Sequence, residues 1–311
     1  MLNNFTHSIM FHHFHNEHHP KGQGSISSEL FEKILIWLKN NHNLLSADNY
    51  YKKAVANKLK KSDVCLSFDD ALLCQYDIAL PLLEKYNINA FFFIYSSPLL
   101  GNPDFLEIFR YFRCVYYKSI NLFYKDFFFL VKNNSEKKYN IQKEKFLRLN
   151  YLNEFPFYSE NDKWFRYLRD IFLGKKAYIK LMKTLMQEKK FNYKEIISRL
   201  WMSNKHLVNL KKKGHTIGLH SYSHPTTMKT LSISKQYNEY KKNKDHLEKV
   251  LDKNVIFTMS HPCGSYNNET LEILKNLNIK LGFRSNTSIK KINSHLEIPR
   301  EDHANLVKAI T

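Results

Sequence analysis

The hydrophobic pattern of the chain predicts short buried strands that alternate with amphipathic helices. Residues 64–68 form a continuous apolar, β-prone run, and the strand–helix–strand order of residues 64–94 implies a parallel pairing with a right-handed crossover. Shorter runs of the same kind predict further strands at 9–11, 215–219, 255–259 and 280–284. Helical patterns separate these later strands, which is typical of an α/β fold and excludes a β-sandwich.

Local signals place several helix ends. Ser27 or Ser28 caps a helix that runs to about residue 40, and its apolar residues share one face: Leu30, Phe31, Ile34, Leu35 and Leu38. A later helix begins at Ser203 and ends at Gly214, a residue suited to the position after a helix. Pro81 lies in a helical stretch, which it must kink unless it occupies the first turn.

Residues 99–200 carry no recognisable motif. Aromatic residues are dense over 105–129, and residues 164–190 are amphipathic with many lysines. We interpret 99–200 as a mostly helical insertion within a single domain that spans residues 1–311. Its role stays open between a subdomain that covers the substrate, a packed structural excursion, and a peripheral contact with a membrane surface.

Charge and composition limit the classes of binding partner that we expect. The net charge of +19, from 48 basic and 29 acidic residues, favours anionic partners, including an anionic substrate. Because the lysines are scattered and no arginine-rich block is present, we interpret them as a solvated surface and do not expect nucleic-acid binding. No run approaches 18 apolar residues, so no membrane span is predicted. The first residues lack a basic region followed by an apolar one, which predicts no signal peptide and a cytoplasmic location.

Two groups of polar residues follow predicted strands. Asp69 and Asp70 come directly after one apolar run, and His220 and His224 come after another. Two histidines four residues apart and one carboxylate make a three-ligand site for a divalent metal, and the second carboxylate is then free to act as a base. The alternatives are a helix N-cap for the aspartates and a packed or surface pair for the histidines.

These residues resemble the motifs of polysaccharide deacetylases of the NodB-homology type, carbohydrate esterase family 4. Residues 67–71 (Ser-Phe-Asp-Asp-Ala) resemble the family's Thr-Phe-Asp-Asp-Gly, and residues 220–224 match its His-Ser-x-x-His. Residues 261–267 (His-Pro-Cys-Gly-Ser-Tyr-Asn) resemble the third motif in its Tyr-Pro-Tyr-Gly form, and 298–300 (Ile-Pro-Arg) resemble a strand of the same branch. The resemblance implies a deformed, incomplete (β/α) barrel of about seven strands with a mostly helical insertion.

The resemblance also implies roles for single residues. Asp70, His220 and His224 would hold a divalent metal, zinc first and cobalt, nickel or manganese as alternatives. Asp69 would be the catalytic base. The other candidates carry supporting roles: His12 and then His303 as proton donor to the leaving amine, Arg300 as the tether of Asp69, the backbone N–H of Cys263 as an oxyanion donor, and Pro262 and Ser221 beside the substrate.

Four positions depart from the family pattern. Ser260 stands where many relatives have an arginine, and Ala71 replaces a glycine, which matters only if that residue needs a positive φ. His261 for tyrosine and Cys263 for an aromatic residue are expected to reshape the pocket near the acyl group.

The resemblance implies an activity and leaves one alternative. The activity is metal-dependent removal of an N-acetyl or other N-acyl group from an amino sugar. Its expected substrate is a sugar-nucleotide, lipid-linked or glycan intermediate of surface-polysaccharide assembly. The alternative is a non-catalytic carbohydrate-binding relative that retains the fold.

Overall fold

The computed structural model describes residues 8–22, 24–153, 158–288 and 292–310. It has two compact units: Met1–Asp104 together with Ser198–Thr311, which we call the barrel unit, and Phe105–Ile197, which we call the helical unit. The expectation about a signal peptide concerns residues 1–7, which lie outside the described residues. Among the described helices, none combines the length and the apolar character needed to cross a bilayer.

Seven parallel strands form the sheet of the barrel unit. Their bounds are β1 (Ser8–Phe11), β4 (Leu66–Asp69), β5 (Phe91–Ile94), β6 (Thr216–Leu219), β7 (Thr258–Ser260), β8 (Leu281–Phe283) and β9 (Arg300–Asp302), and a separate parallel pair consists of β2 (Asn43–Leu44) and β3 (Asp63–Val64). The order across the large sheet is β8-β7-β6-β5-β4-β1-β9. A parallel bridge between Phe283 and Ile298 brings the two edges together. The sheet is thus a nearly closed barrel, and the predicted (β/α) barrel is confirmed.

The apolar run 64–68 is divided between two sheets. Val64 pairs with Leu44 in the small sheet, whereas β4 begins at Leu66 and pairs with β1 and β5. The prediction of one strand over 64–68 was therefore wrong in its start, because Cys65 is the junction between the two pairings. The strand that remains is shorter and ends on Asp69.

Alternation along the strands sorts side chains between the barrel interior and the outer layer. The rings of Phe91 and Phe93 on β5 lie 5.2 and 5.4 Å from Phe283 on β8, which is possible only across the interior. On β6, a Cβ at Gly218 would lie 2.5 Å from Thr258 Oγ1 and 2.7 Å from the Phe93 ring. Because this interior is filled, only glycine fits there.

Helices of the barrel unit pack against the sheet. Their bounds are α1 (Ser28–Asn41), α2 (Ala47–Val55), α3 (Leu80–Lys85), α10 (Asn204–Lys212), α11 (Ile233–Leu251), α12 (Asn268–Asn276) and α13 (His303–Ile310). The predicted caps are confirmed, since the Ser27 side chain accepts from the N–H of Leu30, and Gly214 has φ +85° just after α10. Pro81 lies in the first turn of α3, directly after a π-helical turn at Gln75–Ala79.

The helical unit has an aromatic core of its own. Its helices are α4 (Phe105–Tyr116), α5 (Ile120–Asn134), α6 (Glu136–Leu147), α7 (Glu160–Tyr167) and α8 (Gly174–Glu188), and α9 (Ile197–Leu200) follows at the boundary. Phe127, Phe165 and Tyr178 pack edge to face with ring centroids 4.9 to 6.1 Å apart. The predicted helical insertion is confirmed, and the compact unit lies inside the range 99–200.

Candidate metal centre and active site

The candidate site lies at the carboxyl ends of the parallel strands. Asp69 is the last residue of β4 and Asp70 follows it, whereas His220 follows β6 directly. Because all seven strands are parallel, their carboxyl ends share one rim of the barrel. The loop after β6 then returns His224 to the same place.

Asp70, His220 and His224 converge on one point. The Oδ1 atom of Asp70 lies 3.3 Å from His220 Nε2 and 3.4 Å from His224 Nε2. All ligand atoms of this triad lie within 4.8 Å of one another, and it is the one such group among the described residues. Asp70 Oδ1 is buried and accepts no hydrogen bond from any residue that the structure describes. A buried oxygen without a donor, facing two imidazole nitrogens, fits a divalent cation.

Hydrogen bonding fixes which nitrogen His220 presents. Its Nδ1 lies 3.0 Å from the carbonyl oxygen and 2.7 Å from Oγ of Ser260, at the end of β7. The carbonyl can only accept, so we assign the Nδ1 proton to this bond, which leaves Nε2 with a free lone pair toward Asp70.

The two histidines differ in their electrostatics. Burial would lower the pKa of His220, but the carboxylates of Asp69 and Asp70 outweigh burial and raise it. For His224 burial prevails and lowers the pKa to about 4. His224 is therefore a neutral ligand at neutral pH, whereas at His220 a cation competes with a proton.

Asp69 is held by Arg300 in a bidentate pair. The guanidinium donates from both terminal nitrogens, with both N–O distances 2.7 Å, and Ser260 Oγ donates to the same carboxylate at 3.2 Å. Asp69 is 2 % exposed and Arg300 1 %. Burial would raise the pKa of Asp69, but Arg300 outweighs burial and lowers it. The carboxylate is thus ionised and fixed in orientation at neutral pH.

The two candidates for proton donor are placed differently. His12 follows β1, and its Nε2 lies 4.0 Å from Asp69 Oδ2 with 30 % of the side chain exposed. His303 is buried, and its ring nitrogens lie 3.3 and 3.0 Å from the carbonyl oxygens of Met10 and Gly24. The structure brings His12 to the carboxylates and directs the His303 ring at the backbone, so His12 is the better candidate.

The third motif follows β7. Pro262–Gly264 forms a short 3-10 turn in which Pro262 is buried and Cys263 is exposed. His261 is fully buried, donates from Nε2 to the Leu296 carbonyl at 2.9 Å, and stacks on Tyr266. His261 is therefore a core residue, and we expect it to influence the pocket through the residues packed around it.

Five non-glycine residues at this rim have positive φ angles. Asp70 and Ala71 have φ of 79° and 54°, Ser221 and His224 have 67° and 51°, and Cys263 has 51°. Each of these residues follows the end of β4, β6 or β7. Non-glycine residues are disfavoured in this region and persist where the surrounding structure determines their conformation. The motif position occupied by Ala71 thus does require a positive φ.

Known proteins resemble this chain in part of the sequence and in the fold. The family model for "Polysaccharide deacetylase" matches residues 176–282, a range that holds both histidines and the third motif. About a third of the chain thus resembles this family in sequence. A search of curated protein sequences found no match.

Solved structures resemble this fold over nearly the whole chain. The deacetylase PplD of Streptococcus pyogenes, solved in complex with acetate, is 19% identical, with 98% of this chain and 97% of that chain covered and a TM-score of 0.57. IcaB from Ammonifex degensii is 13% identical, with coverages of 96% and 91% and a TM-score of 0.57. The de-N-acetylase from Aggregatibacter actinomycetemcomitans is 14% identical, with coverages of 98% and 99% and a TM-score of 0.56. At these identities the similarity establishes the fold.

Two residues of the candidate site are not predicted from the sequence as parts of it. Ser260 contacts both Asp69 and His220, whereas the sequence marks it only as the replacement of an arginine. Gln75 donates from Nε2 to the carbonyl oxygens of His12 and Asp69, at 2.9 and 2.6 Å. A polar residue at the end of a strand was the available signal for Ser260, whereas no local pattern marks Gln75.

Proposed function

We propose that the protein is a metal-dependent hydrolase that removes an N-acetyl or other N-acyl group from an amino sugar. The observation that carries this proposal is the Asp70–His220–His224 triad beside an ionised Asp69 held by Arg300. The names of the similar structures supply the reaction class, since they include a deacetylase bound to acetate and a de-N-acetylase. The proposed substrates are sugar-nucleotide, lipid-linked or glycan intermediates of surface-polysaccharide assembly.

The triad supports zinc as the metal, because its donor set is two imidazole nitrogens and one carboxylate oxygen, with cobalt, nickel and manganese as alternatives. When bound, such an ion polarises a carbonyl group and lowers the pKa of water. Asp69 then accepts a proton from the attacking water, and Arg300 keeps the carboxylate charged and pointed at it.

The second proton transfer has a different donor. An amine leaves as a neutral group only if it is protonated, so a side chain must donate to its nitrogen. His12 suits this role because its ring is partly exposed and lies next to Asp69. We further propose that the backbone N–H of Cys263 donates to the oxygen that gains charge during the attack.

The proposal is tested by elemental analysis of the untagged protein and by acetate release from N-acetylated amino sugars and their nucleotides. We expect one zinc or similar ion per chain, and its loss in His224→Ala together with the activity. His18→Ala is the matched control, because the His18 side chain is 80 % exposed and pairs with Glu17 instead of a residue of the triad. Retention of the metal in His224→Ala would refute the triad. Absence of metal from the wild type, even after zinc loading, would favour the carbohydrate-binding alternative.

A further inference from the structure

One helix binds the loop between the two histidines at two places. Residues 220–224 leave the end of β6, and two of them, Ser221 and His224, have positive φ angles. Such a loop does not hold its own shape, because each left-handed residue costs about 1–2 kcal/mol relative to its relaxed conformation. The N–H of Ser97 donates to the Tyr222 carbonyl at 2.8 Å, and α11 binds the backbone N–H groups of three loop residues.

Glu239 on α11 binds the middle of the loop. Its Oε2 accepts the backbone N–H groups of Tyr222 and Ser223 at 3.1 and 2.8 Å, and its Oε1 accepts the Ser223 hydroxyl at 2.7 Å. All three donors belong to two consecutive residues of the loop. Because both N–H groups point at one carboxylate, Glu239 helps to set the path of the chain from His220 to His224.

Asn243 lies one helical turn further along α11 and binds the start of the loop. Its Oδ1 accepts the backbone N–H of His220 at 3.0 Å, and its Nδ2 donates to the Ile94 carbonyl at 2.9 Å and to Ser96 Oγ at 2.6 Å. Asn243 is fully buried. It therefore ties the first histidine to the neighbouring strand β5.

The polar face of α11 extends one further turn. His246 Nδ1 lies 2.8 Å from the same Ser96 Oγ, and its Nε2 lies 3.1 Å from Asn204 Oδ1 at the start of α10. Glu239, Asn243 and His246 have the spacing of one helix face, i, i+4 and i+7. This face is buried against the loop and the strand ends rather than against the apolar core.

We propose that α11 is the positioning element of the metal site and that Glu239 and Asn243 are its positioning residues. The inference rests on the metal site under "Proposed function". Neither side chain touches the ligand atoms. They act by setting the backbone on which His220 and His224 stand, so that both Nε2 atoms face Asp70 before a cation arrives. A site arranged in advance binds its ion without the cost of ordering the loop.

The test compares Glu239→Ala, Glu239→Gln and the control Asp245→Asn. Asp245 is exposed on the same helix and pairs with Lys241, so its replacement removes a charge but no loop contact. Two quantities are measured: the zinc dissociation constant by competition with a chromophoric chelator, and hydrogen exchange of the amides in residues 220–224 of the metal-free protein.

We expect Glu239→Ala to weaken zinc binding about tenfold or more and to speed exchange at Tyr222 and Ser223. Glu239→Gln should stay close to the wild type, because its amide oxygen can accept the two N–H groups and its NH2 can donate to the Ser223 hydroxyl. If the alanine variant does not fold, Glu239→Asp replaces it. That variant keeps the charge but withdraws the carboxylate by one methylene, and the same loss of affinity is expected.

Unchanged zinc affinity and unchanged exchange in Glu239→Ala, when the wild type binds zinc, would overturn this inference alone. Failure of the wild type to bind zinc would overturn the proposed function as well. The two failures are therefore told apart by the wild-type titration.

Discussion

Each unit of the protein has a carboxylate with a buried oxygen, and the surroundings of that oxygen differ between the two units. In the helical unit, Asp162 is 5 % exposed and accepts from the N–H and hydroxyl of Ser159 and from the hydroxyl of Tyr124. In the barrel unit, Asp70 Oδ1 accepts no hydrogen bond from the described residues and faces two histidines. Asp162, whose oxygens are satisfied, caps a helix, whereas the unsatisfied oxygen of Asp70 fits a ligand.

The backbone shows the same contrast. In the described part of the helical unit, positive φ angles of non-glycine residues occur at Leu152, in a turn, and at Lys190, just after α8. Both positions are ordinary for the ends of helices and turns. In the barrel unit, Asp70, Ser221 and Cys263 adopt such angles at the ends of strands, where nothing in the regular structure requires them. The backbone conformation of the rim thus serves to position its side chains, whereas that of the helical unit follows from helix ends and turns.

The largest expected effect separates a carboxylate of the candidate site from a structural one. Asp69→Asn should lower turnover on the order of 10²–10⁴-fold, because the base is lost while the metal ligands remain. Zinc binding, measured by chelator competition, should stay within a few-fold of the wild type. The control Asp162→Asn should lower the free energy of unfolding and leave turnover per folded molecule unchanged. Wild-type turnover in Asp69→Asn would show that another group is the base.

Removal of an arginine side chain should also lower the stability of the two units unequally. Arg300→Met leaves Asp69 buried without its partner, which should lower the free energy of unfolding by about 3–5 kcal/mol. The pKa of Asp69 should rise, so the acid limb of the activity profile moves to higher pH. In Arg113→Met, a guanidinium 4.9 Å from the Phe165 ring is lost, and the cost should be about 0.5–2 kcal/mol. Urea unfolding and pH–rate profiles measure both effects, and equal costs would contradict the comparison.

A core substitution in the helical unit should affect stability without affecting the metal site. Trp164 is 1 % exposed and packs on Phe146, so Trp164→Ala should cost about 3–5 kcal/mol of the stability of that unit. All three proposed ligands belong to the barrel unit, so the zinc dissociation constant should not change. A parallel loss of zinc affinity would mean that the helical unit contributes to the site.

Acid should weaken the barrel unit first, because residues 105–197 contain no histidine. Burial lowers the pKa of His215 to about 4, and its Nδ1 accepts the N–H of Ala90. The folded state keeps this ring neutral while the unfolded state protonates near pH 6.5, so its contribution is complete above pH 6.5 and is lost as the pH falls toward 4. The slope is at most about 1.4 kcal/mol per pH unit. Urea unfolding between pH 7 and 5 should show a weaker pH dependence in His215→Asn, and an unchanged slope would exclude His215 as its source.

The smallest effect concerns the backbone of the rim. Ala71→Gly should raise the free energy of unfolding by about 0.5–1 kcal/mol, because glycine adopts φ +54° without a steric cost. The helical control Ala54→Gly, within α2, should lower it by about 1 kcal/mol. Thermal unfolding of both variants measures the two signs. Destabilisation by Ala71→Gly would show that the rim is not strained at this residue.

Local patterns predicted much of the fold. The cap at Ser27, the helix end at Gly214 and the alternation of strands and helices follow from short-range rules, and the structure contains them. The start of the strand predicted over 64–68 was wrong, because hydrophobicity does not indicate which strand a segment pairs with. Here the run is divided between two sheets. The predicted metal ligands meet in the structure because they follow the ends of parallel strands. They could be predicted because a polar residue directly after an apolar run is a local signal.

What the sequence determined by itself was the set of reactive groups and the order of the elements that carry them. Periodicity, caps and motif spacing act over a few residues, so they can be read along the chain. The contact of Arg300 with Asp69, 231 positions away, was expected from the family resemblance and not from any local pattern. Only the tertiary structure decided that Ser260 bridges Asp69 and His220, and that Glu239 holds the loop between the histidines. These contacts join distant segments through barrel closure and helix packing, and no local rule encodes the pairing of segments that far apart.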